Sequence, residues 1–131
     1  MRTGFKLALA LFSLIPLYFA VVGLGQGAER LMPTGDVAAA LDNQLRYLSG
    51  VYAMVTFMIW FALMDIDRRG PVLKLLVVGF VIGGLGRLIS HLVTGPGDST
   101  QFAGMIIELS TPLFLVWHRA VTRPASSDHS V

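Results

Sequence analysis

Apolar stretches of membrane length alternate along this chain with short clusters of turn-forming and charged residues. Residues 7–25 are apolar, with Ser13, Pro16 and Tyr18 as interruptions, and they follow Arg2 and Lys6. Residues 26–36 hold glycines, Met32-Pro33 and both signs of charge, which is loop chemistry, and Asp36 stands where an N-cap would precede Val37-Ala38-Ala39-Ala40. A second apolar run covers residues 45–64 and is stopped by Asp65-Ile66-Asp67-Arg68-Arg69-Gly70-Pro71. The third, residues 72–93, is laced with glycine, carries Arg87 and His91, and ends in Thr94-Gly95-Pro96-Gly97-Asp98. The fourth, residues 101–117, contains Glu108 and Pro112 and ends in His118-Arg119.

A bilayer's hydrocarbon core is about 30 Å thick, so a helix rising 1.5 Å per residue crosses it in about 20 residues. The pattern therefore predicts an all-α fold, an integral membrane four-helix bundle within residues 1–123. Residues 124–131 are too poor in apolar side chains to pack and read as a disordered cytoplasmic tail. The first run also fits a cleaved signal peptide loosely, but it exceeds the 7–15 apolar residues usual there. The transmembrane reading is preferred.

Composition sharpens this picture. Of the 131 residues 54% are hydrophobic and only 14% are charged, against about 25% charged in soluble domains. Four crossings leave no room for a Rossmann or P-loop domain. Cysteine is absent, which excludes a disulfide scaffold, a thiolate metal site and a cysteine nucleophile. A net charge of +2 is explained by membrane orientation, so no nucleic-acid partner is expected. Arg2, Lys6, Arg68, Arg69, Lys74, Arg119 and Arg123 fall on one side, Arg30 and Arg46 on the other. The positive-inside rule then places both termini and the second loop in the cytoplasm.

Ionisable residues inside a membrane helix are costly and usually find a partner. Arg87 lies about 9 Å from the outer end of the third run, and Glu108 about 10 Å along the fourth. Their depths match, and a short loop makes these helices antiparallel neighbours, so the two are expected to pair. His91 is one helical turn from Arg87, and Gly79 and Gly83 continue that stripe, with Gly84 and Gly86 widening the small surface for close helix packing. The second helix offers Arg46, Ser49, Gly50, Ala53 and Thr56 at three- and four-residue steps beside Tyr52, and Asp42 is placed to pair with Arg46. Pro112 lacks an N–H, which is expected to leave the Glu108 carbonyl without its helical donor.

Asn43, Arg46, Gly50 and Tyr52, then Gly83-Gly84-Leu85-Gly86-Arg87, then Glu108 with Pro112 resemble a family of small bacterial four-helix membrane proteins known only as a domain of unknown function, loosely similar to the DoxX-like bundles. The resemblance covers about residues 5–118. It implies a multi-pass protein of the bacterial cytoplasmic (inner) membrane and supplies no reaction.

Three readings fit these residues. The first is structural: a buried Arg/Glu/His cluster in the outer leaflet that fixes helix register. The second is a binding site for a lipid, quinone or similar small amphiphile, using Arg46, Tyr52, Arg87, His91 and Glu108. The third is an accessory subunit of a larger membrane complex or a homo-oligomer, docking through the glycine face. A ligand site needs an opening, whereas a register-fixing core is closed. No activated serine and no carboxylate pair is present, and His118 and His129 fall on the side opposite His91, so no catalytic residue, metal or cofactor is assigned.

Overall fold

The computed structural model describes residues 1–32 and 34–122, so the tail expected at 124–131 lies outside the described residues. All regular structure among them is helical: α1 (Arg2–Gln26), a short 3-10 turn (Gly27–Arg30), α2 (Ala39–Met64), α3 (Gly70–Thr94), α4 (Ser99–Ser110) and α5 (Pro112–Thr122). α4 and α5 follow one another as a single span interrupted at Thr111, so four helical spans are long and apolar enough to cross a membrane. At most 22% of any span's apolar window is buried within the protein. Leu11, Val21, Leu75, Ile82, Ile89, Leu92 and Leu113 are instead exposed, which is stable only where the surrounding solvent is lipid.

The helices extend beyond the apolar runs because the ends supply their own stops. Pro71 sits in the first turn of α3, where its missing N–H costs nothing. Gly95 leaves α3 at φ +104° and lets the chain turn. Asp98 caps α4, its Oδ1 accepting from the Gln101 amide at 2.8 Å. The chain divides into two compact units, Lys6–Met64 and Met1–Phe5 together with the chain from Asp65 onward.

In the first of these units, polar side chains that lipid cannot satisfy find partners within α1, within α2 and, through Ser13 and Trp60, between them. Ser13 Oγ donates to the Ala10 carbonyl at 2.6 Å and accepts from Trp60 Nε1 at 3.0 Å. Ser49 and Thr56 are buried and donate to the carbonyls of Leu45 and Tyr52, four residues earlier, at 2.7 and 2.9 Å. Gly23 lies so close to Ser49 that a Cβ would come within 2.9 Å of the serine Cβ.

In the second unit α3 packs on α4 and α5. Phe5 is fully buried, its ring edge-on to Phe114 and Trp117 and 5.7 Å from the His118 ring. Arg2 makes two hydrogen bonds to the Asp67 carboxylate, at 2.6 and 3.1 Å, and donates to the carbonyl of Val121. The start of α1 is thus bound to the α2–α3 loop and to the last turn of α5. His118 Nε2 lies 2.5 Å from the Ile66 carbonyl, which only accepts, so this nitrogen carries the proton.

Candidate functional site

Glycine decides how closely α3 approaches α4. A Cβ on Gly84 would stand 2.9 Å from Leu109 Cδ2 and 3.2 Å from Glu108 Cβ, and one on Gly83 would rest 3.6 Å from Glu108 Oε2. A Cβ on Gly79 or Gly86 would meet nothing within 4 Å among the described residues. Only half of the glycine surface named from the sequence therefore touches the neighbouring helix in this unit.

This close contact brings the two ionisable residues together. Arg87 Nε donates to Glu108 Oε2 at 3.0 Å. The Glu108 side chain is 13% exposed and that of Arg87 34%. A Cβ on Gly104 would lie 3.7 Å from Arg87 Cζ, so the guanidinium rests on a bare stretch of α4 backbone.

The exposed side of Arg87 opens on a cleft of about 360 Å³ at the end of the α3–α4 hairpin. Ser90, His91 and Thr94 line it from α3, Gln101, Phe102 and Met105 from α4, and Gly95, Pro96 and Gly97 from the turn. These α3 residues stand three, four and seven positions after Arg87, one face of a helix, and the His91 ring faces Phe102 at 6.1 Å. Gln101 and Met105 stand seven and three positions before Glu108, which is the matching face of α4. Ser90, Thr94, Gln101, Phe102, Met105 and Gly104 were not assigned to the site from the sequence, although the helical period through Arg87 and Glu108 contained most of them.

At the break between α4 and α5 the helical donor is lost as expected, and a substitute takes its place. The Glu108 carbonyl, deprived of its helical donor by Pro112, is not free: Thr111 Oγ1 donates to it at 2.7 Å and the Thr111 amide at 3.3 Å. Thr111 is buried, and its hydroxyl supplies inside the protein what lipid cannot.

Arg46 and Tyr52 belong to the other unit. Arg46 Nε donates to Asp42 Oδ2 at 2.8 Å, the pairing expected from their spacing, and Arg46 Nη1 donates to the Leu24 carbonyl. Asp42 Oδ1 accepts from the Ala28 amide at 2.9 Å. The pair therefore satisfies backbone groups at the end of α1 and in the following turn, where helix ends leave donors and acceptors unpaired. Tyr52 stacks at a tilt on Phe19 at 5.9 Å, and the Arg30 guanidinium lies over Phe19 at 5.0 Å.

Four apolar membrane-length helices, the third and fourth joined by an Arg87–Glu108 pair, define a multi-pass helical membrane protein. The chain belongs to the family described as domain of unknown function (DUF4345), whose model matches residues 4–118. No curated protein and no solved structure matches it.

Proposed function

We propose that this chain is a multi-pass protein of the bacterial inner membrane that binds a small amphiphile, with the polar head in the α3–α4 cleft and the tail along the apolar helix surface beside it. The observation that carries the reading is the opening itself: Arg87 and His91 stand on the wall of a cleft of about 360 Å³, whereas a pair that served register alone would be closed off. The turn residues Gly95, Pro96 and Gly97 form one end of the cleft, and in this reading they stand at the membrane interface, where an amphiphile changes from polar to apolar. Phe102 lines the cleft and is itself exposed, and offers an apolar start for the tail. Arg87 and Glu108 have two tasks in this reading, holding α3 against α4 and presenting the guanidinium edge to the ligand. The concentration of basic residues at both termini and in the second loop favours a cytoplasmic location for those segments and puts the cleft in the outer leaflet.

Native mass spectrometry of the protein released from lipid nanodiscs tests the proposal, comparing wild type with the Arg87→Leu/Glu108→Leu double variant. A defined adduct on the wild type that is lost from the variant is the expected result. An adduct-free wild type, with the variant folding as well or better, would return the pair to a purely structural role.

A further inference from the structure

The charge inventory of the cleft goes further than its shape. Among the described residues that line it only Arg87 and His91 are ionisable, and the one acid adjoining the lining in the turn, Asp98, is engaged as the cap of α4, accepting from the Gln101 backbone amide at 2.8 Å. The arginine charge is nonetheless already answered, because Glu108 accepts its Nε at 3.0 Å from a position only 13% exposed. Hydrogen-bond donors line the cleft: the Gln101 side-chain amide, the Ser90 and Thr94 hydroxyls and the His91 ring. The result is a recess rich in donors but close to electrically balanced.

We propose that Glu108 is a specificity-determining residue: by neutralising Arg87 it makes the cleft select uncharged amphiphiles whose head accepts hydrogen bonds, such as an ester or ketone carbonyl, over carboxylates and phosphates. This rests on the amphiphile-binding reading above. A head bound at the Arg87 edge lies within a few ångströms of the Glu108 carboxylate. An anion there is attracted by one charge and repelled by the other in a medium that screens both poorly, and it competes with Glu108 for the same guanidinium. An uncharged acceptor takes donors from the wall without disturbing the pair. Glu108 touches no ligand in this scheme and acts through Arg87.

Laurate and monolauroylglycerol share an acyl chain and differ in the charge of the head, so their dissociation constants isolate the effect. Titration of the full-length protein in nanodiscs of uncharged lipid, at a pH where laurate is ionised, is expected to show monolauroylglycerol binding about tenfold or more tightly. Glu108→Gln removes the charge and keeps the shape, and is expected to raise the affinity for laurate relative to the ester by a similar factor. Gln101→Glu adds a carboxylate at an exposed lining position and is expected to widen the preference, which keeps the test available if Glu108→Gln folds poorly. Equal or tighter binding of laurate by the wild type, or a preference unmoved by both variants, overturns the charge selection. Failure of both lipids to bind folded wild type overturns the amphiphile reading itself. Saturable binding of glycerol monoacetate, a similar head with almost no tail, also overturns that reading by assigning the cleft to a water-borne solute.

Discussion

Removing the Arg87–Glu108 pair tests how the α3–α4 hairpin is held. The donor–acceptor distance is 3.0 Å, and the two side chains are 34% and 13% exposed, between the surface and the buried limits. Two unit charges about 4 Å apart at an effective dielectric of about 20 attract by roughly 4 kcal/mol, before any desolvation cost is subtracted. Exposed pairs are worth at most about 1 kcal/mol, whereas breaking a buried pair on one side costs about 3–5 kcal/mol. Glu108→Ala leaves an arginine that is one third exposed and reaches polar surroundings, so its cost is expected near 1–2 kcal/mol. Arg87→Ala leaves a carboxylate that is mostly enclosed, at an expected cost of about 2–4 kcal/mol. The double variant abandons neither partner and is expected to cost about 1–3 kcal/mol less than the sum of the singles. Equilibrium unfolding in mixed micelles, followed by near-ultraviolet circular dichroism, supplies the four stabilities. Strict additivity would refute the coupling, and with it the role of the pair in joining the two helices.

Three further outcomes follow from the geometry and a fourth from the distribution of basic residues. Gly84→Ala, which pushes a Cβ to 2.9 Å from Leu109, is expected to lower stability by about 1–2 kcal/mol, while Gly79→Ala and Gly86→Ala, facing open space, gain up to about 1 kcal/mol in helix propensity; equal melting temperatures for all three would contradict the packing. Gly27→Ala is expected to cost about 1–3 kcal/mol, because the residue has φ +57° and its Cβ would collide with Asp42 Oδ1 and approach Arg46 Nη2 to 2.9 Å; a silent substitution by thermal unfolding would mean the Asp42–Arg46 clasp is dispensable. Thr111→Val keeps the shape and removes the donor to the Glu108 carbonyl, for an expected loss of about 1–2 kcal/mol that Thr111→Ser largely restores in the same assay. A cysteine placed at positions 95–99 is expected to react with an impermeant thiol reagent on intact spheroplasts, and reaction only after lysis would invert the proposed orientation.

Much of this protein was legible in one dimension because lipid imposes a one-dimensional rule. Backbone polar groups inside the bilayer must be bonded within the protein, which a helix does for nearly all of its own, so runs of about 20 apolar residues between turn clusters specify both the type and the number of the spans. The Asp42–Arg46 clasp followed from an i,i+4 spacing, and the Arg87–Glu108 pair from equal distances to one short turn, both of which are arithmetic along a helix. What the sequence could not carry was the partner of each side chain across large separations. Nothing near Arg2 announces Asp67, and nothing near Phe5 announces Trp117, since those contacts depend on how helices far apart in the chain come together. Periodicity likewise marked four glycines as one surface without saying that Gly83 and Gly84 meet α4 and Gly79 and Gly86 do not, because a small residue permits contact but does not attract it. The cleft belongs to the same class. Its walls are two helical faces that the period exposes to view separately, and only the packing of α3 on α4 turns them toward each other and leaves the space between them open.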